Sequence, residues 1–202
     1  MSDQTLTEIS PDTPLQSTWT IWLNYDNEEE KPEGVDPWLF NLHKGFNLTE
    51  AAHLRSTIDM IDIAFIKEDF QFAVFKDGTE PKTEREDHYA VYAMKYALLP
   101  EEETENSKAF FTRQNPESYS ILKVEELNEL LKEFIVNLLL NPDLEYRNKI
   151  DGILFKSKWG FLNVDIWTHE ELDELNEDGD LSKLKEDLKL GADKKVLKKV
   201  KK

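Results

Sequence analysis

The sequence predicts an α+β fold, and three observations predict it. Short runs of aromatic and β-branched residues recur along the chain as strand signals. Three longer stretches keep helical spacing on an apolar face. The helices fall between the strands, and several strand pairs read as antiparallel. With 202 residues, 39% of them hydrophobic and 11% aromatic, and with five tryptophans, the chain can bury a sizeable core in one domain, with or without tails.

Met1 to Thr13 is polar, rich in Ser, Thr, Asp and Pro, and reads as a flexible N-terminal tail. Trp19 to Tyr25 (WTIWLNY) is dense in strand formers. Asn27 to Asp36 is an acidic loop with Pro32 and Gly34, and a short strand is expected near Trp38 to His43. Asn47-x-x-Glu50 has the form of a capping box that opens a helix through about Ile61, with Leu54, Ile58 and Ile61 on one face. Phe70 to Phe75 (FQFAVF) reads as a strand closed by the turn Lys76-Asp77-Gly78, and His88 to Leu98 as another.

Pro100 to Ser118 is a long polar stretch around a short strand at Phe110-Phe111. Leu122 to Leu140 is the clearest helix: Leu127, Leu130, Leu131, Phe134, Ile135 and Leu138 form a broad apolar face, and Asn141-Pro142 ends it. Ile150 to Lys156 and Phe161 to Trp167 read as a hairpin around Trp159-Gly160. A charged helix from about Leu181 to Leu190 stops at Gly191. The final KKVLKKVKK reads as a last strand or a basic tail, and there is no internal repeat.

The absence of cysteine excludes disulfides, thiolate zinc sites and thiol nucleophiles. No apolar run has the length of a membrane span, and the first residues have neither the basic start nor the apolar stretch of a signal peptide. The expected location is therefore the cytoplasm, the nucleus being the other compartment open to such a chain. A net charge of −17 repels a polyanion, so the chain is not expected to coat nucleic acid along its length. Any nucleic-acid site should be small and rest on stacking and a few charges. Neither DNA nor membrane is an expected partner.

Enzyme and metal motifs fail on inspection. Asn176-x-Asp178-Gly179 has part of a calcium loop, but Lys185 stands at the bidentate position and cannot coordinate calcium. His169-Glu170 lacks the second histidine of a zinc protease, and there is no Gly-rich phosphate loop or nucleophile elbow. No enzyme activity, metal or cofactor is expected.

Pro14-Leu15-Gln16 with Trp19-x-x-Trp22, the segment Phe75 to Pro81 and the segment Gly152 to Thr168 together resemble blocks of the eukaryotic translation initiation factor 4E family. Pro14-Leu15-Gln16 followed by Trp19-x-x-Trp22 is similar to that family's opening strand. Phe75-Lys76-Asp77-Gly78-Thr79-Glu80-Pro81 resembles its turn before a cap-contacting tryptophan. Gly152 to Thr168 (GILFKSKWGFLNVDIWT) fits its hairpin without a gap, and Lys189-Leu190-Gly191 resembles the close of its last helix. The resemblance spans residues 14–191, leaving 1–13 as a tail and 192–202 as a basic strand or tail. It implies a curved antiparallel β-sheet backed on its convex face by about three α-helices, holding the 7-methylguanosine cap of messenger RNA on the concave face.

In the family two tryptophans sandwich the cationic base, a carboxylate reads guanine N–H groups, and basic side chains meet the phosphates. Carried onto this chain, the resemblance implies Trp38 as one stacking wall, Glu84 as the guanine-reading carboxylate and Lys158 at a phosphate-binding position. Thr83 stands where the second tryptophan is expected, and Asn163 replaces a lysine. Loss of one wall removes stacking worth about 1–3 kcal/mol; Trp159, His88 or Tyr89 would be the substitutes. The family also binds a helical peptide of initiation factor 4G or a similar protein. The corresponding positions here are Pro14, Leu15 and His53, the last in place of a tryptophan. Two functions follow: a divergent cap-binding protein in translation initiation or its regulation, or an interaction protein that keeps the fold without the cap.

Read without the resemblance, Trp19, Trp22 and Trp167 are core residues of apolar strands. Glu84 is a carboxylate of a solvated charged run, Lys158 an ordinary surface lysine and His53 a helix-surface histidine.

Overall fold

A computed structural model describes residues 10–25, 30–35, 40–66, 70–81, 90–99, 120–140, 145–158, 160–172 and 179–188. Seven strands form one sheet: β1 (Pro14–Asn24), β2 (Leu42–Glu50), β3 (Gln71–Lys76), β4 (Ala90–Leu99), β5 (Ser120–Lys123), β6 (Ile150–Lys158) and β7 (Phe161–Thr168). Their order across the curved sheet is β2-β1-β3-β6-β7-β4-β5. Every pairing is antiparallel except β4–β5, which is parallel and short. The helices among the described residues are α1 (Leu54–Ile66), α2 (Val124–Leu140), α3 (Glu145–Asn148) and α4 (Asp180–Asp187), with a 3₁₀ turn at Ala51–His53.

The alternation of side chains along each strand divides the sheet into two faces. One face packs on the helices. It presents Trp19 and Ile21 of β1, Phe72 and Val74 of β3, Ile153 and Phe155 of β6, and Leu162, Val164 and Ile166 of β7, against Leu54, Ile61, Leu127, Leu131, Phe134 and Leu184. Polar contacts join the helices to one another. Asp62 of α1 accepts hydrogen bonds from Asn128 (2.6 Å) and pairs with Lys132 (2.8 Å) of α2. Arg147 of α3 pairs with Asp187 of α4 at 2.8 Å, and the Tyr146 hydroxyl bonds the same carboxylate. Tyr96 of β4 donates to the Leu188 carbonyl at 3.2 Å, fixing the end of α4 to the sheet.

The main correction to the sequence reading concerns residues 47–53. The expected capping box does not start a helix: Asn47 to Glu50 finish β2, and α1 starts at Leu54 and runs on to Ile66. Asn47 pairs with Thr20 of β1, and its side-chain oxygen accepts from the Thr20 hydroxyl at 2.9 Å. Long-range ladder pairing thus takes the group that would have capped the helix, a tertiary override of a local preference.

Smaller differences follow. The strand expected near 38–43 begins at Leu42. The helix expected from Leu122 begins at Val124, because Ser120–Lys123 form the parallel edge strand. A one-turn helix at Glu145–Asn148 carries no periodic signal in the sequence. The last helix ends at Asp187 rather than near Leu190. The expected strand at Phe110-Phe111 lies outside the described residues, as do Gly191 and the basic C-terminal segment. No described helix is long and apolar enough to cross a membrane.

Candidate functional site

The other face of the sheet carries no helix among the described residues, and its side chains fall into cross-strand rows. The first row is apolar: Phe75 of β3, Gly152 of β6, Trp167 of β7 and Val91 of β4 are consecutive partners. Gly152 leaves room for the Phe75 ring, since a Cβ there would lie 2.3 Å from it, and that ring meets Trp167 edge-on at 5.6 Å. The second row runs Trp22, Ala73, Leu154, Asp165, Ala93. Trp22, Ala73, Phe75, Val91, Leu154 and Trp167 form a small apolar cluster of their own, with Leu42 against it.

Toward the β6–β7 hairpin the face becomes polar. The third row is Asn24, Gln71, Lys156, Asn163, Lys95, all partly exposed. Beyond it Lys158, exposed at the end of β6, is opposite Phe161. Lys95 lies over the Phe161 ring at 3.8 Å, and Lys44 of β2 over Trp22 at 5.8 Å. Four lysines therefore gather on one face of a chain that is strongly acidic overall. Asp165, nearly buried, pairs with Lys156 of this group at 3.0 Å. Among the described residues no group of three His, Asp or Glu side chains is placed to hold a metal ion.

At the opposite end of β3, Gly78 adopts φ +85 in the turn after Lys76, a conformation that favours glycine. Lys76 donates to the Asn148 carbonyl (2.7 Å) and lies 3.5 Å from Asp151, whose other oxygen meets His169 at 2.9 Å. Burial lowers the Lys76 pKa below the usual lysine value, more than the attraction of Asp151 raises it.

Of the residues singled out in the sequence, Trp38, Glu84, His88, Tyr89 and Trp159 lie outside the described residues, as does Thr83. Trp19, Trp22 and Trp167 are buried, as read from their apolar strands. Pro14 and His53 come to one corner: Pro14 is the cross-strand partner of Glu50, and the Glu50 carboxylate lies 3.6 Å from the His53 ring. Leu15 turns into the helix-packed core. His53 belongs to the 3₁₀ turn, where its Nδ1 accepts from the Thr49 amide at 3.2 Å.

Sequence reasoning missed Lys156, Lys95 and Asp165. The signal for the first was present, because Lys156 and Lys158 are two apart on a strand and so share a face. Lys95 and Asp165 join them only through the β4–β7–β6 register.

Sequence comparison found neither a matching family model nor a matching curated protein. Structural comparison found solved structures with the same fold over nearly the whole chain. A Caenorhabditis elegans eIF4E-3 in complex with the 4E-binding protein Mextli matches with a TM-score of 0.62 at 14% identity, covering 93% of each chain. Ascaris suum eIF4E-3 in complex with the m2,2,7G cap matches at 0.60 and 17% identity, covering 95% of this chain and 92% of that one. A schistosome eIF4E complexed with m7GpppG and 4E-BP matches at 0.55 and 17% identity, covering 90% and 86%.

Proposed function

We propose that this chain, which has the initiation factor 4E fold, binds the 7-methylguanosine cap of messenger RNA on the face of its sheet opposite the described helix layer, in translation initiation or its regulation. The observation that carries the reading is the layout of that face. Buried aromatic and aliphatic residues give way within two rows to a partly exposed strip of lysines, an arrangement suited to a ligand whose phosphates meet that strip. The cap is such a ligand, and its methylated base carries the positive charge that an aromatic wall attracts. Caps are bound by structural neighbours of this chain.

In this reading Trp38 stacks on the base, Glu84 accepts its N–H groups, and Lys158 meets the phosphates. Trp159, Tyr89 or His88 supplies the second wall in place of Thr83. Nothing is cleaved, and binding rests on stacking, charge and hydrogen bonding. The corner of Pro14, Leu15 and His53 is the proposed dock for a helical peptide of the initiation factor 4G or 4E-binding kind, since neighbours are seen with 4E-binding proteins. The cytoplasm is the proposed site of action, with the nucleus as a second compartment.

A second reading, a protein-interaction subunit without cap binding, is favoured by Thr83 and Asn163 at two positions where the resemblance expects ligands. Titration with 7-methylguanosine triphosphate, followed by tryptophan fluorescence with unmethylated GTP as control, separates the two. Methyl-dependent quenching at micromolar ligand is the expected result, and Glu84→Ala should abolish it. An unchanged signal up to millimolar ligand would overturn cap binding in favour of the second reading.

A further inference from the structure

We infer that Asp165 acts as an internal competitor for Lys156, occupying the central lysine of the sheet face opposite the described helix layer and setting how tightly that face holds a phosphate chain. The inference rests on the reading of this face as a ligand site. Lys156 is the middle member of the polar row, one strand from Asn163 and two from Lys95, and nothing else in that row is acidic. Its ammonium group, however, is turned one row inward onto Asp165 at 3.0 Å. Asp165 projects from β7 between Asn163 and Trp167 of the same face and is opposite Leu154 and Ala93, so its carboxylate is enclosed largely by apolar groups.

The asymmetry between the partners decides the outcome. The Lys156 side chain is about three times as exposed as that of Asp165, 35% against 11%. Lys156 can therefore swing toward an incoming anion more readily than Asp165, mostly buried, can turn to water in exchange. A phosphate that takes Lys156 leaves a desolvated carboxylate without its counter-charge, which is the costly way to break such a pair. A plain polyanion bears that cost in full. Asp165 thus weakens every phosphate-bearing ligand at this face.

The probe is inorganic tripolyphosphate, titrated calorimetrically at low salt into the whole chain, where screening is weakest. Asp165→Asn keeps the shape and removes the charge. It should bind tripolyphosphate about tenfold more tightly than the unaltered chain, and the gain should vanish in Asp165→Asn/Lys156→Gln. Asp165→Ala, checked for folding by near-ultraviolet circular dichroism, should show the same gain and guards against an effect peculiar to the new amide. Equal or weaker binding in both Asp165 variants, including no binding in any variant, overturns the inference. Cap recognition is judged separately by the methyl dependence of the unaltered chain. A gain shared equally by 7-methylguanosine triphosphate and GTP, without methyl dependence, would refute cap binding and leave the role of Asp165 standing.

Discussion

The two faces of the sheet are made by alternate residues of the same strands, and they are chemically unlike. On β6 and β7 the helix-packed face presents Ile153, Phe155, Leu162, Val164 and Ile166, apolar but for buried Ser157 and Thr168 at the strand ends. The other face reads Gly152, Leu154, Lys156 on one strand and Trp167, Asp165, Asn163 on its neighbour, changing from apolar to charged over about 13 Å at ~3.3 Å per residue. A uniform apolar face is what a layer of helices requires. A gradient serves a packing partner poorly, but it matches a ligand that has a flat ring at one end and anionic groups at the other. The strands show in this way which face carries the helix layer and which ends in a partly exposed polar strip.

Four substitutions test that division, beginning with the largest effect. Leu131→Ala empties a fully buried site between α2 and the sheet; it should cost about 2–5 kcal/mol in urea unfolding while leaving ligand affinity of the folded protein unchanged. A large affinity change would show that the faces are coupled. Gly152→Ala acts on the other face, forcing the Phe75 ring away from Trp167. A cost of about 1–3 kcal/mol is expected, with an altered near-ultraviolet tryptophan signal; an unchanged signal would contradict the packing of this row.

Acid should act on the helix layer through Asp62. Burial alone would raise the Asp62 pKa, but the hydrogen bonds from Asn128 and Lys132 and the charges of Lys132 and Arg55 together hold it below the usual value. Its contribution is therefore complete above the ordinary carboxylate pKa of about 3.9 and is lost as pH falls through the lower folded value. Asp62→Asn should flatten the loss of stability below about pH 4, measured as the melting temperature against pH. Last, Arg55→Ala breaks a pair with Asp59 that is exposed on both sides. It should change stability by under about 1 kcal/mol, less still in high salt.

Much of the fold was legible because periodicity reports on local geometry. The apolar face of α2 and the β6–β7 hairpin were both apparent from spacing alone. What was not legible was decided at long range. Asn47 had two uses, a helix cap or a strand partner for Thr20, and only the position of β1 chooses between them. Ser120 to Lys123 show no strand alternation and owe their pairing to Leu99 and its neighbours on β4. The candidate site divides the same way: Lys158 could be singled out from the hairpin, whereas Lys95 and Asp165 belong to the site only by register.

The strand order also has a consequence for the chain during its synthesis. β3 lies between β1, which precedes it, and β6, whose residues pair with it from roughly eighty positions later. At about 5–20 residues per second a ribosome needs some 4–16 seconds to make that partner. Until it arrives, β3 carries Phe72, Val74 and Phe75 on a strand with one side unpaired, a template for pairing with another nascent chain. Because closure of the sheet waits on contacts so distant in sequence, folding should be slow for a domain of this size, and the newly made protein should depend on chaperones during those seconds.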